Sequence, residues 1–122
     1  MRALIVDVSR FIRGFLRALL EEKGIKCAGA ADGQTGMDQL NSGLPIDNAL
    51  IDCNLPGMNG LDLLKHLRTV FFCSLRGMMV TTEAESDFIL RGLDSGVDEY
   101  LMKPFDDEAL SEKLAVPGLV EA

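Results

Sequence analysis

The chain has 122 residues, 48% of them hydrophobic, which is enough for one core and too little for two. Its 19 acidic residues against 12 basic ones give a formal charge of −7, which disfavours non-specific attachment to nucleic acid or anionic lipid and turns attention to protein and metal partners. The three cysteines (Cys27, Cys53, Cys73) form no C-x-x-C pair and no apolar run approaches about 18 residues, so a reduced, cytoplasmic chain that is neither exported nor membrane-spanning is expected.

The first element is an apolar run, residues 3–6, that starts almost at once and ends on Asp7. Ser9 then has the chemistry of a helix N-cap, and Phe11, Ile12, Phe15, Leu16, Leu19 and Leu20 recur at helical spacing up to Gly24. Residues 25–30 read as a second strand, Asp32-Gly33 as a turn, and residues 35–41 as a short helix closed by Gly43. A third strand, residues 48–51, runs into Asp52, after which Pro56, Gly57 and Gly60 break the chain before a helix carrying Leu61, Leu64, Leu67 and Phe71. Residues 77–80 form a fourth strand ending on Thr81 and Thr82, and residues 83–93 a fourth helix. Residues 98–102 are the fifth strand and end on Lys103-Pro104. Asp106 or Asp107 caps a fifth helix with Leu110 and Leu114, and Pro117-Gly118 stops it.

Strands and helices alternating at this length imply an α/β fold, a doubly wound sheet of five parallel strands with right-handed crossovers. In such sheets chemistry sits in the crevice above the carboxyl ends of the strands. Asp7, Asp52, Thr81 and Lys103 each end a strand, so two acids, a hydroxyl and an amine are expected to converge at one edge. An acid ending a strand is, alone, commonly just a helix cap; the four in register carry the functional reading.

With these residues in this order, the chain resembles the receiver domains of bacterial two-component response regulators, including the single-domain, CheY-like chemotaxis type. The resemblance treats residues 1–122 as one receiver domain, with a core at about 2–115 and a tail at 116–122. It implies the flavodoxin-like strand order 2-1-3-4-5. It also implies Asp52 as phosphoacceptor, Asp7 as a metal-binding acid, and the Asn54 backbone carbonyl as a further ligand to Mg²⁺. Thr81 matches the switch hydroxyl, Tyr100 the switch aromatic and Lys103 the cation that holds the phosphoryl group. The Lys103-Pro104 bond is similar to one that is usually cis in the family. The implied partners are a sensor histidine kinase or phosphotransfer protein and a downstream protein target, with no direct nucleic acid contact and no membrane insertion. Output is expected through the surface of the fourth helix, fifth strand and fifth helix, and the only catalysis implied is the domain's own phosphoryl transfer and dephosphorylation.

One position departs from the family. Two adjacent acids usually follow the first strand, and here Asp7 is followed by Val8, which removes a metal ligand. A degenerate receiver that binds its partner without phosphorylation is therefore the alternative function. A haloacid-dehalogenase-type phosphatase needs a second Asp where this chain has Ser9, and a flavodoxin needs a polar phosphate loop that residues 8–13 do not form. His66 between Lys65 and Arg68 reads as a surface residue, Cys53 as a packing residue, and Val70–Cys73 as an unusually apolar connection of undecided role.

Overall fold

The computed structural model describes residues 2–43, 45–53, 55–57, 60–70, 76–82 and 99–114. Five strands, β1 (Arg2–Val6), β2 (Lys26–Ala30), β3 (Asn48–Asp52), β4 (Arg76–Thr82) and β5 (Glu99–Lys103), form one wholly parallel sheet in the order β2-β1-β3-β4-β5. Four helices are described: α1 (Arg10–Glu22), α2 (Gly33–Asn41), α3 (Gly60–Val70) and α4 (Asp107–Leu114), the last being the fifth helix expected from the sequence. The expected helix at 83–93, Asn54, Phe71–Cys73 and the Pro117-Gly118 stop lie outside the described residues.

Side-chain alternation explains the two-faced sheet. Along β1, Leu4 and Val6 enter one core with Ala49, Ile51 and Met79, under Leu40 of α2 and Leu63 and Leu64 of α3. Ala3 and Ile5 point the other way and pack with Leu50, Met78, Val80 and Leu101 against Leu16 and Leu20 of α1 and Leu110 of α4. Because both faces are covered, the central strands are continuous apolar runs rather than alternating ones. Each fully buried Leu, Ile or Met contributes on the order of 1.5–3 kcal/mol of transfer free energy, which makes these two layers the main source of stability.

Caps fix where the helices begin. The Ser9 hydroxyl accepts from the Ile12 amide at 3.2 Å, and Asp106 accepts from the Ala109 amide at 2.9 Å. Asp32, expected only as a turn residue, accepts from the Thr35 amide at 2.7 Å, so α2 starts at Gly33, two residues earlier than periodicity suggested. β4 runs one residue further at its start and two at its end than its apolar run, since parallel pairing begins at Arg76 against β3 and extends through Thr82 against β5. The α1 and α4 ends are tied by Lys23 Nζ and Asp107 Oδ1 at 2.6 Å.

One buried polar group is out of keeping with this core. Asn48, 2% exposed at the start of β3, has neither side-chain polar atom hydrogen-bonded among the described residues. An unsatisfied buried amide costs about 1–3 kcal/mol. Asn48→Val places an apolar, β-branched strand residue of similar size there, and is expected to raise the unfolding free energy by about 1–2 kcal/mol in urea titration. Equal or lower stability would show that the amide is satisfied in solution.

Candidate functional site

The carboxyl edge of the sheet gathers the residues that end β1, β3 and β5. The Asp7 amide still pairs with the Ala30 carbonyl (3.0 Å) and the Cys53 amide with the Val80 carbonyl (3.1 Å), so both acids are held by sheet hydrogen bonds rather than by free loops. Asp7 is 1% and Asp52 5% exposed. The Lys103 ammonium lies between them, 3.0 Å from Asp7 Oδ2 and 3.4 Å from Asp52 Oδ1. Two buried carboxylates in this proximity repel each other, and the shared cation offsets that repulsion.

Asp7 is held at three atoms. Its Oδ1 accepts the Ser9 amide at 2.8 Å, its Oδ2 accepts from Lys103, and its backbone carbonyl accepts from Arg13 Nη1 at 2.6 Å. Ser9 thus has two roles, since its hydroxyl starts α1 while its amide orients the acid. Arg13 was not singled out by the sequence reading. The signal available was its position one turn into a capped helix that begins directly after Asp7.

Thr81 is 1% exposed at the end of β4, one register position beyond the residue that pairs with Asp52. Tyr100 sits lower on β5, opposite Met79, and packs half-buried on the α2–α3 side of the core. Its hydroxyl is buried without a partner among the described residues. Burial, with Glu99 adjacent, pushes the phenol pKa up. The structure therefore brings Asp7, Asp52 and Lys103 into ionic contact, sets Thr81 at the same edge and Tyr100 beneath it. Asn54 lies outside the described residues.

A glycine is required behind the site. A Cβ on Gly60 would collide with the Asp52 carbonyl oxygen and come within 2.8 Å of the Met79 side chain, so α3 starts against the end of β3 only because position 60 lacks one. The Gly60 amide closes this turn on the Cys53 carbonyl at 2.9 Å. Lys103 reaches the acids from a bond to Pro104 that is cis, and it lines a groove of about 140 Å³ with Phe11, Ile12, Phe15, Pro104 and Phe105. Phe15 meets Phe105 edge-on at 5.6 Å. Val8 is 54% exposed and His66 is also exposed, so neither is a core residue.

Burial alone would lower the Lys103 pKa, but the hydrogen bond to Asp7 and the charges of Asp52 and Asp7 outweigh it and leave the pKa raised. The donor set, hard carboxylate oxygens facing a single cation position, fits Mg²⁺, which takes oxygen ligands and completes its shell with water. The fit is lean, because Val8 presents no side-chain oxygen beside Asp7.

Known proteins share this fold and its sequence pattern. The chain matches the family model of the response regulator receiver domain over residues 3–115. It is 39% identical over 116 residues to the chemotaxis protein CheY of Pseudomonas aeruginosa, covering 93% of each chain. With the transcriptional regulatory protein CpxR of Escherichia coli it shares 36% identity over 113 residues, 93% of this chain and 47% of that one. The structure of the Vibrio cholerae chemotaxis response regulator CheY4 superposes with a TM-score of 0.82 at 28% identity, over 91% of this chain and 92% of that chain. The chain belongs to the response regulator receiver domains, the CheY-like signalling modules of two-component systems. Among the described residues no helix is long and apolar enough to cross a membrane.

The raised Lys103 pKa sets a pH dependence. Up to the ordinary lysine value of 10.5 the ammonium is charged in both folded and unfolded chains and its contribution to stability is complete. Above that value the unfolded chain loses its proton first, so the contribution falls as pH rises and is gone above the folded pKa. Wild type is expected to exceed Lys103→Gln by about 2 kcal/mol in chemical denaturation near neutral pH, the scale of hydrogen bonds to charged groups. From neutral pH upward the gap should hold until strongly alkaline solution and narrow there. A gap independent of pH up to that range and beyond would contradict the ionic account.

Proposed function

We propose that this domain accepts a phosphoryl group on Asp52 from the phosphohistidine of a sensor histidine kinase or phosphotransfer protein, and passes the signal to a downstream protein target through a changed surface. The observation that carries the reading is the ammonium of Lys103 held against a buried strand-end carboxylate, at the edge where three strands end. A carboxylate oxygen of Asp52 attacks phosphorus; the new oxygen–phosphorus bond forms as the bond to the donor imidazole breaks, and the imidazole leaves with the electron pair. Transfer of this kind depends on positioning and on positive charge at the phosphoryl oxygens. Lys103 supplies one such charge and is held in place by Asp7. Mg²⁺, held by Asp7, Asp52 and the Asn54 carbonyl with water at its other positions, would supply further charge neutralisation at the same oxygens.

Phosphorylation adds roughly −1.5 to −2 charge by analogy with other phosphoresidues. Lys103 then has a stronger partner than Asp7, and the Thr81 hydroxyl can turn to donate to a phosphoryl oxygen. The space Thr81 leaves lies above Tyr100, whose phenol is half-buried and unbonded among the described residues. Rotation of Tyr100 carries the change to β5 and its flanks. Reduced cysteines and a cytoplasmic setting accord with this role.

The alternative, a receiver working without phosphate, is favoured only by the exposed Val8 in place of an acid. Intact-mass measurement after acetyl phosphate and Mg²⁺ separates the two. A single phosphoryl adduct is expected on wild type and none on Asp52→Asn, with circular dichroism unchanged. An adduct that persists in Asp52→Asn, or no adduct on wild type at saturating Mg²⁺, would rule the assignment out.

A further inference from the structure

We infer that the outer edge of β2 is a docking strip for an extended acidic segment of a partner protein, which adds to the sheet as a further strand with its carboxylates toward Arg17, Lys26 and Arg2. The inference goes beyond the phosphoacceptor reading and uses none of its residues.

β2 ends the sheet and pairs only with β1. The amide and carbonyl of one strand residue point to the same side, and the Ala30 carbonyl accepts from the Asp7 amide just past β1, so Lys26, Ala28 and Ala30 face β1. Cys27 and Gly29 therefore face outward. The Cys27 amide and carbonyl and the Gly29 amide have no hydrogen-bond partner among the described residues, and the Gly29 carbonyl takes a 3.3 Å bond from Gln39 Nε2 that a strand amide can replace. An open edge of this kind is a template for another strand.

Charge decides which strand. Residues 1–26 hold six of the 12 basic residues and three of the 19 acidic ones, in a chain whose net charge is −7. Arg17 is exposed on α1 beside this edge: a Cβ on Gly29 would lie 3.4 Å from its Nη2. Burial pushes the Cys27 thiol pKa up, and the Arg17 charge pulls against that rise while Glu21 adds to it. At the foot of the same seam a cleft of about 400 Å³ is lined by Arg2, Lys26 and Cys27, with Glu21 as the acid in its wall. A second copy paired edge to edge would set these cations against their own counterparts, whereas carboxylates on an incoming strand meet them with opposite sign. The other edge of the sheet is β5, so a segment here leaves the β5 flank open.

The test uses a capped synthetic peptide of about eight residues, within the usual strand length, alternating glutamate and threonine, titrated into the isotope-labelled whole chain. The Cys27 and Gly29 amide signals are expected to move and to gain protection from hydrogen exchange, while those of Ala28 and Ala30, already turned to β1, change least. Arg17→Glu, an exchange at an exposed helix position, is expected to weaken binding about tenfold, the scale of reversing a charge close to its partner. The same peptide with alternate amides N-methylated keeps its charge and loses its strand donors, and is expected to bind at least about tenfold more weakly. No movement at Cys27 and Gly29 with millimolar peptide, or equal binding of the N-methylated peptide, would overturn the inference. So would equal binding of a single-stranded oligonucleotide of the same charge at these amides, or a dimer in sedimentation whose interface protects them without peptide.

Discussion

Two carboxylates buried at the end of adjacent strands are tolerable only with a cation between them, and Lys103 provides it at 3.0 and 3.4 Å. Much of the local architecture serves that arrangement. Hydrogen bonds from Asp7 to β2 and from Cys53 to β4 hold the two acids, and the β5 end delivers the lysine. Ser9 and Arg13 fasten Asp7 from α1. Gly60 lets α3 start directly behind Asp52. The ion cluster is both a structural tie across three strands and a charge that can be moved, and the proposed signalling uses the second property.

What makes a movable charge useful here is the difference between its two partners. Against Asp7 the ammonium meets one negative charge; against a phosphorylated Asp52 it would meet nearly two. Thr81 and Tyr100 lie at and below the same edge, on neighbouring strands, so a shift at the phosphoryl group has packed side chains through which to act. The family match over residues 3–115 and the likeness to chemotaxis proteins put the chain among the receiver domains of two-component systems.

Most of the fold was legible in the sequence, for a simple reason. Strands buried on both faces read as short apolar runs, and helices covering them read at a period near 3.6, so Ala3–Val6 and Phe11–Leu20 announce themselves. Parallel strands bring all their carboxyl ends to one side, so the residues ending each run were already candidates for one site. Strand order came from family resemblance, since alternation alone does not determine which strands are neighbours. Less legible were features that depend on tertiary contacts. Arg13 is one of several arginines on α1, and only the placement of that helix over Asp7 distinguishes it. Asp32 as a cap rather than a turn residue depends on the Thr35 amide pointing at it. The buried, unpartnered amide of Asn48 is invisible until the neighbouring strands are in register.

The central claim is chemical: an acyl phosphate forms at one carboxylate and no other. Borohydride reduces an acyl phosphate to the alcohol, so treatment with acetyl phosphate and Mg²⁺ followed by borohydride and peptide mapping reads the site directly. Homoserine at position 52, absent without acetyl phosphate, is the expected result. Reduction at Asp7 or at any other acid, or none under conditions that saturate Mg²⁺, would contradict it.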